Sequence, residues 1–170
     1  MNETELACIT EALLLSSDGP LSLEKIQEIF DAGQRPSVEQ LKKALECLKK
    51  DYAARSFELI QVASGYLIQT KSHYSSWIAR LQIEKPVKYS RALLETLSII
   101  AYKQPVTRGD IEDIRGVAVT SHIMKTLLER EWIRVAGHKD VPGKPAVFTT
   151  TKEFLNYFNL RHLDELPDLV

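Results

Sequence analysis

The chain carries one ordered pattern of turns and apolar residues twice, and this repetition constrains its fold more than any other feature. Each copy has a proline, an apolar residue and a hydroxyl residue followed by two isoleucines at equal spacing: Pro20, Leu21, Ser22, Ile26 and Ile29, then Pro105, Val106, Thr107, Ile111 and Ile114. These positions differ by 85 throughout, whereas the pairs Thr70–Thr150 and Trp77–Tyr157 differ by 80. Loop-length differences produce such a change in offset. The repetition predicts two similar units in tandem.

Within the first copy, apolar residues three and four positions apart predict an amphipathic helix over residues 4–16. A turn and the N-cap Ser22 open a short second helix. Ser37 and Gln40 form a capping box that opens the third helix. The second copy repeats this order, with Thr107 in the corresponding capping box. Each copy is therefore predicted to contain three successive helices.

Strand-forming runs follow the third helix in both copies. Residues 57–62 and 66–70 flank Ser64-Gly65, and residues 132–136 pair with 146–150. A closing helix follows each hairpin. Helix, turn, helix, helix and hairpin is the order of a winged helix. We therefore predict a mainly α fold with small β-hairpins (α+β) and tandem winged-helix domains.

Signatures of catalysis and of metal binding are absent from the sequence. It has no glycine-rich phosphate loop, no His-Glu-x-x-His and no Cys-x-x-Cys, and its four histidines lack metal-ligand spacing. Asp110, Glu112 and Asp113 fall in the first turns of a predicted helix, where carboxylates favour the positive end of the dipole. We therefore predict no enzyme activity, no cofactor and no metal.

The charge distribution argues against strong DNA binding. The net charge is −1. Residues 120–131, the third helix of the second copy, hold equal numbers of basic and acidic side chains, whereas a protein that neutralises many phosphates needs a basic stripe. The lysine pairs in residues 38–52 fit a solvated helix face better than a DNA contact. A winged-helix DNA-binding regulator stays open as the alternative function.

Cysteine usage and hydropathy indicate a cytoplasmic protein. Cys8 and Cys47 lie inside apolar helical patterns, so we predict buried free thiols, with a bridge between them as the alternative. No apolar stretch approaches the ~20 residues that cross a bilayer. The first residues have neither the basic region nor the apolar region of a signal peptide.

Several motifs in the second half resemble those of one bacterial family, segregation and condensation protein B. The resemblance is strong over residues 92–167 and weaker but collinear over 1–85. The matching segments lie at residues 92–108, 111–117, 140–145, 150–155 and 163–167. Two departures stand out: Ala118-Val119 replaces a polar turn, and Asn159 replaces a glycine, a change that a left-handed helix cap tolerates.

This resemblance implies an accessory subunit of the bacterial condensin-like complex that has no catalytic role. It implies binding to the kleisin subunit, segregation and condensation protein A, and through it to the structural-maintenance-of-chromosomes (SMC) ATPase. It also implies a homodimer formed by the N-terminal units, with two copies holding one kleisin chain. DNA contact would be weak or indirect, no membrane would be involved, and the protein would associate with the nucleoid. The expected domains are 1–85, for dimerisation, and 86–170, for kleisin binding.

Candidate contact residues follow from these expectations. The first helix has more apolar residues than one buried stripe needs, so we predict a dimer interface, with purely internal packing as the alternative: Leu6, Ile9, Leu13 and Leu14. Kleisin-binding candidates lie at helix ends within the motif: Tyr102, Lys103, Gln104 and Arg115. Arg115 equally suits a helix C-terminus. Basic residues of the second hairpin could meet phosphates or acidic side chains, or only keep the turn soluble: Arg134, Lys139 and Lys144.

Overall fold

A computed structural model describes residues 2–81 and 88–168. The chain divides into two compact units. The first comprises residues 1–86 and 159–162, and the second comprises 87–158 and 163–170. Both units combine helices with a small antiparallel sheet, as the sequence predicts.

The first unit follows the predicted order of elements. Three helices come first, then two antiparallel strands, a 3₁₀ turn at Ser72–Tyr74 and a last helix: α1 (Glu3–Ser16), α2 (Leu23–Glu28), α3 (Val38–Asp51), β1 (Phe57–Val62), β2 (Gly65–Thr70) and α4 (Ser75–Leu81). The predicted Ser37–Gln40 capping box is confirmed, because the Gln40 amide donates to the Ser37 hydroxyl while the Ser37 amide donates to the Gln40 side chain. Residues 159–162 join this unit, where the Leu160 carbonyl accepts a 2.9 Å bond from the Ala63 amide.

The second unit repeats this order with one added strand. Its elements are α5 (Arg91–Lys103), β3 (Val106–Thr107), α6 (Arg108–Arg115), α7 (Ser121–Glu129), β4 (Ile133–His138), β5 (Ala146–Thr150) and α8 (Lys152–Tyr157). The predicted Thr107–Asp110 capping box is confirmed. In the sheet, β5 lies between β3 and β4. The counterpart of β3 in the first unit is a single bridge between Leu21 and Tyr66.

Each unit has one buried threonine at a corresponding position of its first helix. Thr10 donates 2.8 Å to the Leu6 carbonyl, and Thr96 donates 2.8 Å to the Ala92 carbonyl. Both are fully buried among apolar neighbours. The cores therefore match in a polar detail as well as in the order of their elements.

The two departures from the family pattern have local explanations. Val119 is fully buried, and the α6–α7 turn closes on it: its amide donates 2.8 Å to Glu112, and its carbonyl accepts from Arg108. Asn159 has a φ of 57°, in the left-handed region that asparagine tolerates. Both substitutions are therefore compatible with the local backbone.

The prediction for the cysteines is wrong in one respect. Cys8 and Cys47 are free, but both are exposed. The buried stripe of α1 runs through Leu6, Thr10 and Leu14, so Cys8 lies beside this stripe and outside the core.

Within residues 2–81 and 88–168, no helix is long and apolar enough to cross a membrane.

Candidate functional site: the groove between α5 and α6

An open groove of about 720 Å³ lies in the second unit, where α5 and α6 form its walls. Its apolar lining consists of Leu94, Ile99 and Ile114, with Tyr89 at one side. Leu94 and Ile114 are exposed. Exposed apolar residues gathered in one place can mark a surface that a ligand or partner covers. The groove is therefore the candidate site.

The helical repeat explains why these side chains face outward. On α5, Leu93, Leu97 and Ile100 recur at spacings of four and three and fill the core. Leu94 follows Leu93 directly and so points away from that stripe. On α6, Ile111 is fully buried while Ile114 lies outside. The apolar part of the groove lining therefore consists of side chains that the core does not take up.

Arg115 lies in the wall of this groove with an incomplete set of hydrogen bonds. Its side chain is only 8% exposed. Its Nη2 lies 3.4 Å from Glu95 Oε2, and Glu95 Oε1 accepts a 3.0 Å bond from Arg91 Nε. Within the described residues, the buried Nε of Arg115 has no hydrogen-bond partner. Of the four predicted kleisin-binding residues, Arg115 is the one in the groove.

The other three predicted residues lie outside the groove lining. Gln104 Oε1 accepts from the amide and the hydroxyl of Thr150, at 2.7 and 3.1 Å, and so ties α5 to β5. The Tyr102 hydroxyl donates 2.5 Å to the Pro167 carbonyl. Lys103 is exposed. Tyr102 and Gln104 therefore have hydrogen-bond partners inside the second unit, and their contact with a kleisin stays a prediction.

Among the predicted hairpin residues, Lys139 also has a partner within the chain. Its Nζ lies 2.8 and 3.0 Å from the two carboxylate oxygens of Asp110, which joins the β4–β5 hairpin to the start of α6. Arg134 and Lys144 are exposed. Lys139 therefore holds the hairpin in place and is not a free cation, whereas Arg134 and Lys144 stay available for a partner.

The contact between Asp110 and Lys139 predicts an acid-dependent loosening of this hairpin. Lys139, together with the Thr107 capping bonds, lowers the pKa of Asp110 from 3.8 to about 2. A lowered folded-state pKa means that the contact stabilises the fold above about pH 4 and that this stabilisation is lost as the pH falls towards 2. We expect the NMR titration of the Asp110 carboxyl carbon to show this midpoint.

The replacement Lys139→Met should move the Asp110 midpoint back towards its ordinary value. The matched change Lys144→Met, on the same hairpin, should leave it in place because Lys144 is exposed and does not bond Asp110. Equal midpoints in the wild type and Lys139→Met would show that the contact does not form in solution.

The predicted dimer residues divide into two classes. Leu6 and Leu14 are buried in the core of the first unit, so their partners lie in the same chain, and their assignment to an intermolecular surface is corrected. Ile9 and Leu13 are half-buried, and Leu13 packs against that core. Among the described residues of this unit, the most exposed large apolar side chains lie on α4: Trp77, at 66%, and Leu81, at 83%. Both lie on the closing helix that the sequence predicts after the first hairpin.

The groove lining itself was missed by sequence reasoning, although a signal for it exists. Leu93 continues the stripe of Leu97 and Ile100, whereas Leu94 falls outside that spacing and so lies at the edge of the predicted core. Within the described part of the chain, no three histidine, cysteine or acidic side chains are grouped so that they could hold a metal.

Comparison with known proteins identifies the family. The family model described as "Segregation and condensation complex subunit ScpB" matches residues 8–169. A relative from Coxiella burnetii, named segregation and condensation protein B homolog, is 52% identical over 169 residues, covering 99% of this chain and 81% of its own. The chain belongs to the ScpB family. The family description is that of a complex subunit and indicates no catalytic activity.

Solved ScpB structures are also among the similar proteins. ScpB from Mycobacterium tuberculosis is 30% identical, with a TM-score of 0.43, over 94% of this chain and 98% of that one. A second crystal structure is a dimer of an ScpB N-terminal domain complexed with a ScpA peptide. It is 25% identical, with a TM-score of 0.40, over 45% of this chain and 93% of that one. The family assignment rests on the sequence matches.

Proposed function

We propose that this chain is a non-enzymatic subunit of the SMC–kleisin complex that binds the kleisin ScpA and supports chromosome condensation and segregation in the cytoplasm, at the nucleoid. Membership of the ScpB family supports this role. The observation that carries the binding proposal is the α5–α6 groove, an exposed apolar surface beside a buried arginine. A groove of this kind suits a peptide segment better than a reaction, because recognition needs apolar surface and a few polar anchors.

Self-association belongs to the same proposal and is assigned to the first unit. That unit leaves apolar side chains uncovered in α1 and α4, among them Leu15, Trp77 and Leu81. Large exposed apolar side chains gain free energy when a second copy covers them. Two linked copies would hold one kleisin chain at a high effective concentration without any new chemistry.

The DNA-binding alternative gains no support from the third helix of the second unit. Lys125 of α7 lies 3.6 Å from Glu129, one turn away, so its charge is partly compensated within the helix. Strong duplex binding requires several uncompensated cations on this surface. The structure therefore favours a protein partner.

Co-purification with ScpA from the same organism, with the mass measured by light scattering, tests the proposal. We expect the chain alone to have twice its 19.3 kDa mass and to bind ScpA with two copies per kleisin. In parallel, duplex DNA should bind feebly near physiological salt. Absence of an ScpA complex at micromolar concentration would refute the kleisin proposal. A monomeric chain that still binds ScpA would refute only the dimer.

A further inference from the structure

We propose that the α5–α6 groove selects a partner segment in which a carboxylate is flanked by apolar side chains, and that Arg115 is the residue that reads this carboxylate. The inference rests on the proposed function, because the segment that occupies the groove is taken to be part of the kleisin. It adds the chemistry of the segment and the residue that determines its specificity.

The state of Arg115 indicates that a partner group is missing. A guanidinium presents five N–H donors. The described structure gives the Arg115 group one acceptor, Glu95, at 3.4 Å, whereas charge-assisted bonds are ordinarily 2.7–2.9 Å long. Its buried Nε has no partner among the described residues. A cation that is this poorly paired is costly to bury, so a further acceptor that reaches the terminal nitrogens of the guanidinium from the groove would be favourable, since the Nε itself is closed to solvent.

The charge of the groove specifies the sign of the missing group. Two arginines, Arg91 and Arg115, share the single carboxylate of Glu95. The lining therefore has one positive charge in excess. A carboxylate can accept two parallel bonds from a guanidinium, a geometry that neither an amide nor a hydroxyl reproduces. A basic side chain would be repelled.

The apolar lining specifies what surrounds this carboxylate. Leu94, Ile99 and Ile114 line the same groove as Arg115. Apolar side chains on either side of the carboxylate would cover these residues and exclude water, which strengthens the ion pair. A purely acidic segment would leave the apolar lining exposed to water. A purely apolar segment would give Arg115 no further hydrogen-bond acceptor.

Isothermal titration of ScpA into the full chain and its variants tests the inference. Arg115→Gln should weaken binding by about tenfold to a hundredfold, the usual worth of a hydrogen bond to a charged group. Arg115→Lys, which keeps the charge but not the paired donors, should recover part of this loss. The matched control Lys125→Gln should change affinity less than about threefold, because Lys125 lies on α7 outside the groove lining, is 72% exposed, and surface ion pairs contribute little.

A scan of the kleisin keeps the test valid even if an Arg115 variant folds poorly. Each aspartate and glutamate of ScpA is replaced singly by its amide, and every ScpA variant is titrated into the wild-type chain. One replacement should weaken binding by about tenfold or more. The same replacement should have no further effect on Arg115→Gln, and a smaller effect on Arg115→Lys than on the wild type if the glutamine variant is unfolded.

The outcomes separate this inference from the proposed function. If the wild-type chain binds ScpA but no amide replacement weakens binding, or if the effective replacement acts equally on an Arg115 variant, the carboxylate inference is overturned while kleisin binding stands. If the wild-type chain does not bind ScpA at all, both the proposed function and the inference fail.

Discussion

Replacement of Gly65 by alanine is expected to lower the melting temperature of the first unit by more than about 10 °C. Gly65 begins β2 with a φ of 138°, a conformation that alanine rarely adopts. An added Cβ would lie 2.1 Å from the Leu21 carbonyl oxygen, a backbone atom that cannot rotate away. The Leu21–Tyr66 bridge, with bonds of 2.9 and 2.8 Å, would have to open.

The cost of Gly65→Ala combines backbone strain with these lost hydrogen bonds. We estimate a loss of about 3 kcal/mol or more in the free energy of unfolding, from strain at positive φ and about 1 kcal/mol for each broken bond. Calorimetry of the full chain measures it. Gly33→Ala is the control, because no atom lies within 4 Å of its added Cβ. Similar melting of the two variants would show that the bridge does not hold the hairpin as described.

Two isoleucines on α6 are expected to separate stability from binding in the second unit. Ile111 is 0% exposed and Ile114 is 53% exposed, on the same helix. Ile111→Ala should lower the free energy of unfolding by about 2–5 kcal/mol, because it leaves a cavity in the core. Ile114→Ala should change it by less than about 0.5 kcal/mol. Both variants make the same chemical change, so the difference between their free energies of unfolding measures the effect of burial.

The Ile114→Ala change should weaken binding even though it leaves the stability of the unit almost unchanged. Ile114 lines the groove, so Ile114→Ala should weaken ScpA binding by about tenfold through lost apolar contact. Unfolding of this unit can be followed by the fluorescence of buried Trp132 in a Trp77→Phe background, since the chain has two tryptophans. If Ile114→Ala destabilises the unit as much as Ile111→Ala, the groove wall is part of the core and the site assignment is wrong.

The order of elements could be predicted from the sequence because each boundary has a local cause. Capping boxes at Ser37 and Thr107 fix two helix starts through contacts between residues three positions apart. Alternation of apolar residues and turn glycines locates the hairpins in the same way. The repetition of the whole set strengthens each single assignment, and the family comparison agrees with it.

The site could be predicted only in part, because its residues depend on tertiary neighbours. Gln104 was predicted to lie where side chains can face a partner, and Lys139 to meet a phosphate or an acidic side chain or only to keep the turn soluble. Only the folded structure shows that Thr150 and Asp110, both distant in sequence, bond these two side chains. Apolar spacing likewise cannot decide which of several apolar stripes is covered, and this explains the misplacement of Cys8 and Leu14. Arg115 was found through its motif, but its unpaired nitrogen becomes visible only in three dimensions.

The matching threonines Thr10 and Thr96 have a consequence for how the two units can differ. Each hydroxyl is satisfied by a carbonyl one turn back along its own helix, so it needs no polar partner from a neighbouring element. No polar bond then dictates the angle or spacing at which adjoining layers must pack. The outer faces of the two units can thus differ from one another while each core keeps an equivalent buried hydroxyl.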